Sequence, residues 1–247
     1  MLIIEYDGKL YNGWQKQPTK LNIQGNIEEA IKKVTGEEVD LIGSGRTDAG
    51  VHSLGQVANF KLEKSTLDIS KMAMAINSQL KPSIVIKEAK EVREDFHSRY
   101  NAKKKTYRYV IRNAAMPSAI YRNFEHFYKG EIDVKKMQEA AKYLVGEHDF
   151  TSFKSSGNGT KSPVRTIYNL EVKRPDEDKE KIYIEITGNG FLYNMVRIIS
   201  GTLLDVGTGK IKPEDVKKIL DAKDRKLAGK TLPAQGLFLV KVEYEDL

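Results

Sequence analysis

No cysteine occurs among the 247 residues, which excludes disulfide scaffolds, thiolate metal sites and cysteine nucleophiles. The four histidines, His52, His97, His126 and His148, lie far apart without metal-ligand spacing, so neither a metal nor any other cofactor is expected. No apolar run approaches membrane-spanning length. Met1-Leu2-Ile3-Ile4-Glu5 lacks the basic region and long apolar core of a signal peptide, so a cytoplasmic protein with no membrane partner is expected. What is present, 40% hydrophobic and 30% charged residues, describes an ordinary globular protein. The length allows one large domain or two modest ones, each able to bury a core.

The formal net charge is +7, and it is unevenly placed. Residues 1–100 carry 14 Lys and Arg against 14 Asp and Glu, and residues 101–247 carry 27 against 20. A basic surface on one domain suits a polyanion such as RNA, although a generically basic protein has the same balance. Strands are expected at 1–6, from 84, at 105–111, 165–174, 181–187 and 237–244. Ile23, Ile27, Ala30, Ile31 and Val34 follow helical spacing over 23–34. Further helices are expected at 70–80, from an Asp133 N-cap to Leu144, at 191–204, and after Pro213 as the first helical residue. The boundary between two domains, 1–100 and 101–247, falls before the Lys105–Ile111 strand. Asp176-Glu177-Asp178-Lys179 reads as a solvated hairpin loop.

Two nucleotide motifs fail on inspection. Gly43-Ser44-Gly45 begins a dinucleotide fingerprint, but Asp48 stands where its third glycine belongs. Gly209-Lys210 resembles the end of a phosphate-binding loop, yet Ile211 occupies the magnesium-binding hydroxyl position.

The chemistry-bearing stretch is Gly43-Ser44-Gly45-Arg46-Thr47-Asp48-Ala49-Gly50-Val51-His52. It sets one carboxylate, one guanidinium, two hydroxyls and an imidazole on a glycine-rich loop between two expected strands. Asp48 has Arg46 two residues away, and a nearby cation favours the ionised form that a nucleophile needs. Residue chemistry alone is equally consistent with a polar turn capped by Asp48. Arg197 is the only charge on the apolar stretch Phe191–Leu204. If buried it needs a carboxylate partner, for which Asp48 is the candidate; if not, it snorkels to solvent. Lys105, Tyr107 and Tyr109 alternate onto one strand face, which suits stacking on unpaired bases and equally suits two core tyrosines. Trp14 is read as a packing residue, and His52 as loop scaffolding in preference to a proton carrier. Lys154, Lys161 and Arg165, in or beside the Ser/Gly/Lys-rich stretch 150–163, are candidate phosphate contacts.

Gly45-Arg46-Thr47-Asp48-Ala49-Gly50-Val51-His52 resembles the active-site motif of the tRNA pseudouridine synthase A family. Six further blocks follow the family in order: Tyr6-Asp7-Gly8 with Gly13-Trp14-Gln15-Lys16-Gln17; Phe96–Ala102 with Tyr107-Arg108-Tyr109; Asp149–Phe153; Val164–Ile167; Gly190–Arg197; and Leu232–Leu237. Asn194 and Ile198 depart from the His and Asn expected around Met195-Val196-Arg197.

The resemblance implies an α/β (α+β) fold: two similar mixed α/β domains sharing a long, largely antiparallel sheet, with a basic catalytic cleft between them. It also implies a cofactor-free homodimer that isomerises uridines 38–40 of the tRNA anticodon arm. Asp48 would attack the flipped-out nucleotide, at C6 of the base or at C1′ of the ribose. Arg197 would orient and ionise Asp48, Tyr107 would stack under the base and assist removal of the C5 proton, and Arg46 would fill the vacated space. Two other classes are weighed against this. A non-catalytic RNA-binding module has no use for Asp48 with Arg197, and an aspartate phosphotransferase needs a magnesium-binding carboxylate cluster that the sequence does not supply.

Overall fold

Apolar side chains recur at helical spacing in Ile23, Ile27 and Ile31 and at every second residue in Ile182, Ile184 and Ile186, and all six are buried. A computed structural model of the chain describes residues 1–157 and 162–245. In chain order its elements are β1 (Leu2–Tyr6), α1 (Ile23–Thr35), β2 (Ile42–Gly43), β3 (His52–Asn59), α2 (Ile69–Asn77), β4 (Ile84–Ala89), β5 (Ala102–Asn113), β6 (His126–Tyr128), α3 (Val134–Ala141), β7 (Gly146–Asp149), β8 (Val164–Lys173), β9 (Lys181–Gly188), α4 (Met195–Gly207), α5 (Asp215–Ala222) and β10 (Leu237–Tyr244). The protein is mixed α/β, and its strands pair mainly antiparallel.

Two compact units result, residues 1–103 with 238–247, and residues 104–237. In the first, the strand order is β4-β1-β3-β10. β10 joins β3 in parallel, Phe238 opposite His52 and Leu239 opposite Ser53, a return that the sequence reading did not anticipate. Gly55 permits it, since a Cβ there would lie 2.7 Å from the Val240 carbonyl oxygen. α1 packs Ile23, Ile27, Ala30 and Ile31 against Leu2, Ile4 and Tyr6 in one apolar cluster. Its ends are set locally: the Asn22 side chain accepts the Gly25 N–H at 2.8 Å, and Gly36 closes the helix in the left-handed conformation.

The second unit orders its strands β5-β9-β8-β7, with β6 parallel to β5. α3 packs on α4 and β8, burying Met137, Ala140 and Ala141. The 176–179 turn carries Lys179–Asp176 and Lys181–Asp178 pairs at 2.5 and 3.1 Å, as a solvated hairpin does. Helix boundaries differ from expectation in two places. α4 starts at Met195, four residues late, because Asn194 adopts a left-handed φ of 61°. α5 starts at Asp215 with Glu214 as its cap, so Pro213 precedes the helix instead of opening it.

α4 is held by close backbone approach. A Cβ at Gly201 would lie 1.9 Å from the Lys230 carbonyl oxygen, and the buried Thr202 hydroxyl accepts the Gly229 N–H at 2.9 Å. Gly201→Ala should therefore lower unfolding free energy by about 2 kcal/mol or more, through overpacking that only backbone movement relieves. Urea denaturation of the two proteins checks this.

Candidate active site

The 43–52 loop is cradled by backbone first. Trp14 N–H donates to the Thr47 carbonyl at 3.0 Å and Ser44 N–H to that of Val57 at 2.7 Å. Gly13, at φ +89°, sits where a Cβ would be 2.4 Å from the Thr47 oxygen; a Cβ on Gly8 would be 1.9 Å from the Val51 oxygen. Gly43 lies on the Trp14 indole, so Trp14 is a packing residue placed beneath the loop. Side chains finish the cradle. The Tyr6 hydroxyl and Thr47 Oγ1 share a bond of 2.8 Å, and burial raises the Tyr6 phenol pKa, keeping it protonated. Gln56 accepts from the Ser44 hydroxyl at 2.5 Å and donates to the Gly45 carbonyl at 3.0 Å.

On this support Asp48 is half-buried and Arg46 exposed. Arg46 Nε donates to Gln15 Oε1 at 3.0 Å. His52 is buried against Phe238, ring centroids 4.9 Å apart. Its Nδ1 accepts the Gly8 N–H at 3.1 Å. The Asp7 carboxylate lies 3.1 Å from the same nitrogen. His52 therefore scaffolds the loop.

In the second unit the other candidates gather around the turn before α4. Tyr107 is half-buried and meets Phe191 edge to face, centroids 5.2 Å apart at 83°. Tyr109 does not share that setting. It is fully buried with its hydroxyl on the Pro233 carbonyl at 2.8 Å, so only Tyr107 remains a candidate for stacking. Arg197 is half-buried, with Nε donating to the Leu232 carbonyl at 2.6 Å and Nη1 to Asn194 Oδ1 at 2.7 Å. Within its own unit a backbone carbonyl and a side-chain amide hold it. Asn194 also donates to the Ser155 hydroxyl at 3.0 Å, tying the stretch after Lys154 to the same turn. Arg165 is half-buried and donates to the Ser162 carbonyl at 2.9 Å; burial lowers its pKa from the ordinary arginine value. Lys161 lies outside the described residues.

The sequence reading missed Tyr6, Gln15, Gln24, Glu28 and Gln56 as site support. One signal was available: Gln24 and Glu28 stand four apart on the apolar face of α1. Among the described residues no group of three His, Asp or Glu side chains is arranged to hold a metal ion, and no helix is long and apolar enough to cross a membrane.

The tRNA pseudouridine synthase family model matches residues 2–101 and 140–245. Among similar proteins, a tRNA pseudouridine synthase A of Caldicellulosiruptor bescii is 54% identical over 244 residues, covering 99% of this chain and 98% of its own. Another, from Acetivibrio thermocellus, is 51% identical over 243 residues, 98% of each chain. A third, from Thermoanaerobacter pseudethanolicus, is 48% identical over 244 residues, 99% of this chain and 98% of its own.

The cradle makes a direct prediction. Gly13→Ala meets both a positive φ and a backbone oxygen, so it should lower unfolding free energy by about 2 kcal/mol. Amide exchange at Trp14 should accelerate as its bond to Thr47 opens, and hydrogen-exchange mass spectrometry checks both shifts.

Proposed function

The chain belongs to the tRNA pseudouridine synthase family, and from that membership and the presentation of Asp48 we propose how it isomerises uridine in tRNA. The targets are uridines 38–40 of the anticodon arm, and no cofactor takes part. The observation that carries the reading is the backbone cradle, which holds Asp48 on a rigid loop beside exposed Arg46. Rigid presentation is what a nucleophile needs to gain from proximity.

In the proposed sequence the uridine flips out of its stack, at a cost of a few kcal/mol that stacking and phosphate contacts offset. Tyr107 stacks under the base, and Arg46 occupies the space it leaves. Lys154, Lys161 and Arg165 contact phosphates. Asp48 bonds to C6 of the base or C1′ of the ribose, and the N1–C1′ bond breaks. The base turns and C5 bonds to C1′. The bond to Asp48 breaks, C5 loses its proton and N1 gains one. Arg197 keeps Asp48 oriented and ionised. Two similar domains sharing one sheet, a catalytic cleft and a homodimer complete the proposal, all drawn from the family resemblance.

Transfer from C5 makes the reaction measurable. tRNA tritiated at uridine C5 should release tritium to water in the presence of chelator, and Asp48→Asn should release none while binding tRNA as before. A transcript with cytidine at 38–40 should also release almost none. Turnover by the Asn variant would rule out a covalent role for Asp48, and binding without release by the native protein would leave an RNA-binding module.

Arg197→Lys tests the second assignment. Lysine cannot serve both the Leu232 carbonyl and Asn194 with a planar fork. The single-turnover rate should drop by about a hundredfold or more with tRNA affinity little changed.

A further inference from the structure

Behind Arg46 runs a continuous line of polar side chains within the first unit. Arg46 Nε donates to Gln15 Oε1 at 3.0 Å, Gln15 Nε2 to Gln24 Oε1 at 2.8 Å, and Gln24 Nε2 to Glu28 Oε1 at 3.0 Å. Gln24 and Glu28 are buried. The backbone fixes which way Gln24 points: its Oε1 accepts the Lys16 N–H at 2.9 Å, and its Nε2 donates to the Leu41 carbonyl at 3.1 Å. Glu28 is equally constrained, taking the Leu41 N–H at 3.2 Å and the Lys16 ammonium at 2.7 Å.

A carboxylate only accepts and a guanidinium only donates. With Glu28 at one end, Arg46 at the other and Gln24 locked between backbone groups, each amide in the line has a single permitted orientation. We propose that Gln15, set by Gln24 and Glu28, is a positioning residue that holds the Arg46 guanidinium ready for the flipped-nucleotide step. The inference rests on the role given to Arg46 above. An exposed arginine loses much rotamer freedom when it must fill a defined space. Anchoring Nε in advance removes part of that loss and leaves both Nη groups for the RNA.

Gln15→Met, Arg46→Ala and the double variant test this, with thermal melting to confirm that each is folded. The single-turnover rate should fall on the order of tenfold in Gln15→Met and a hundredfold in Arg46→Ala, with tRNA Kd unchanged in Gln15→Met and raised by less than the rate falls in Arg46→Ala. The double variant should be no slower than Arg46→Ala, because Gln15 acts through Arg46. Independently of RNA, the Arg46 Nε–H in 15N-arginine-labelled protein should exchange slowly with water, and quickly in Gln15→Met. Additive losses in the double variant, or an Nε–H equally fast in native protein, would overturn the positioning role. A normal rate in Gln15→Met beside a slow Arg46→Ala would overturn it while leaving Arg46 in place. A normal rate in Arg46→Ala would overturn the role of Arg46 and the inference with it.

Discussion

Two backbone carbonyls, those of Thr47 and Val51, lie so close to Gly13 and Gly8 that no side chain fits between. The geometry of the 43–52 loop depends on this contact. Loops carry soft dihedrals, and a carboxylate on a soft loop gains little from proximity. Here the 8–14 turn and the 43–52 loop fix each other through the Trp14 N–H and through His52, which reads the Gly8 N–H. Trp14 then fills the space under Gly43. Rigidity at Asp48 is thus inherited from packing in the first unit's core, which Tyr6, Tyr11 and Trp14 join.

Buried charge is handled in two contrasting ways. Glu28 has its carboxylate matched by an ammonium, an amide and a backbone N–H, and a fully satisfied buried network specifies one arrangement. Glu125, in the second unit, is as buried, yet neither oxygen has a hydrogen bond among the described residues. Arg112 Nε lies 3.7 Å away, and burial raises the Glu125 carboxyl pKa. Removing one partner of such a pair is expensive because the other charge stays behind. The matched network is the one beside the 43–52 loop.

Most elements were legible in the sequence because their signals are local. Helical spacing gave α1, the charged 176–179 turn marked the hairpin of β8 and β9, and Asp133 is the cap of α3, its carboxylate taking the Lys136 N–H at 3.1 Å. The literal string around Asp48 carried the family. What was not legible depends on distant partners. Asparagine is among the few side chains at home in the left-handed region, but the contacts Asn194 makes there, to Ser155 and Arg197, are set by the fold. Tyr107 and Tyr109 share a strand face, and burial separates them. The polar line from Glu28 to Arg46 crosses three chain segments, so only the fold assembles it.

The return of β10 to β3 carries a consequence for synthesis on the ribosome. The edge of β3 at His52 and Ser53 meets its partner only after all of residues 104–237 have been made. Until then that edge offers unpaired peptide groups to any passing strand. Pairings between segments so far apart in sequence form slowly. The 43–52 loop leads directly into this edge, so the nascent chain carries that loop beside an unfinished seam until residues 238 and 239 are made. β10 is the strand that closes it.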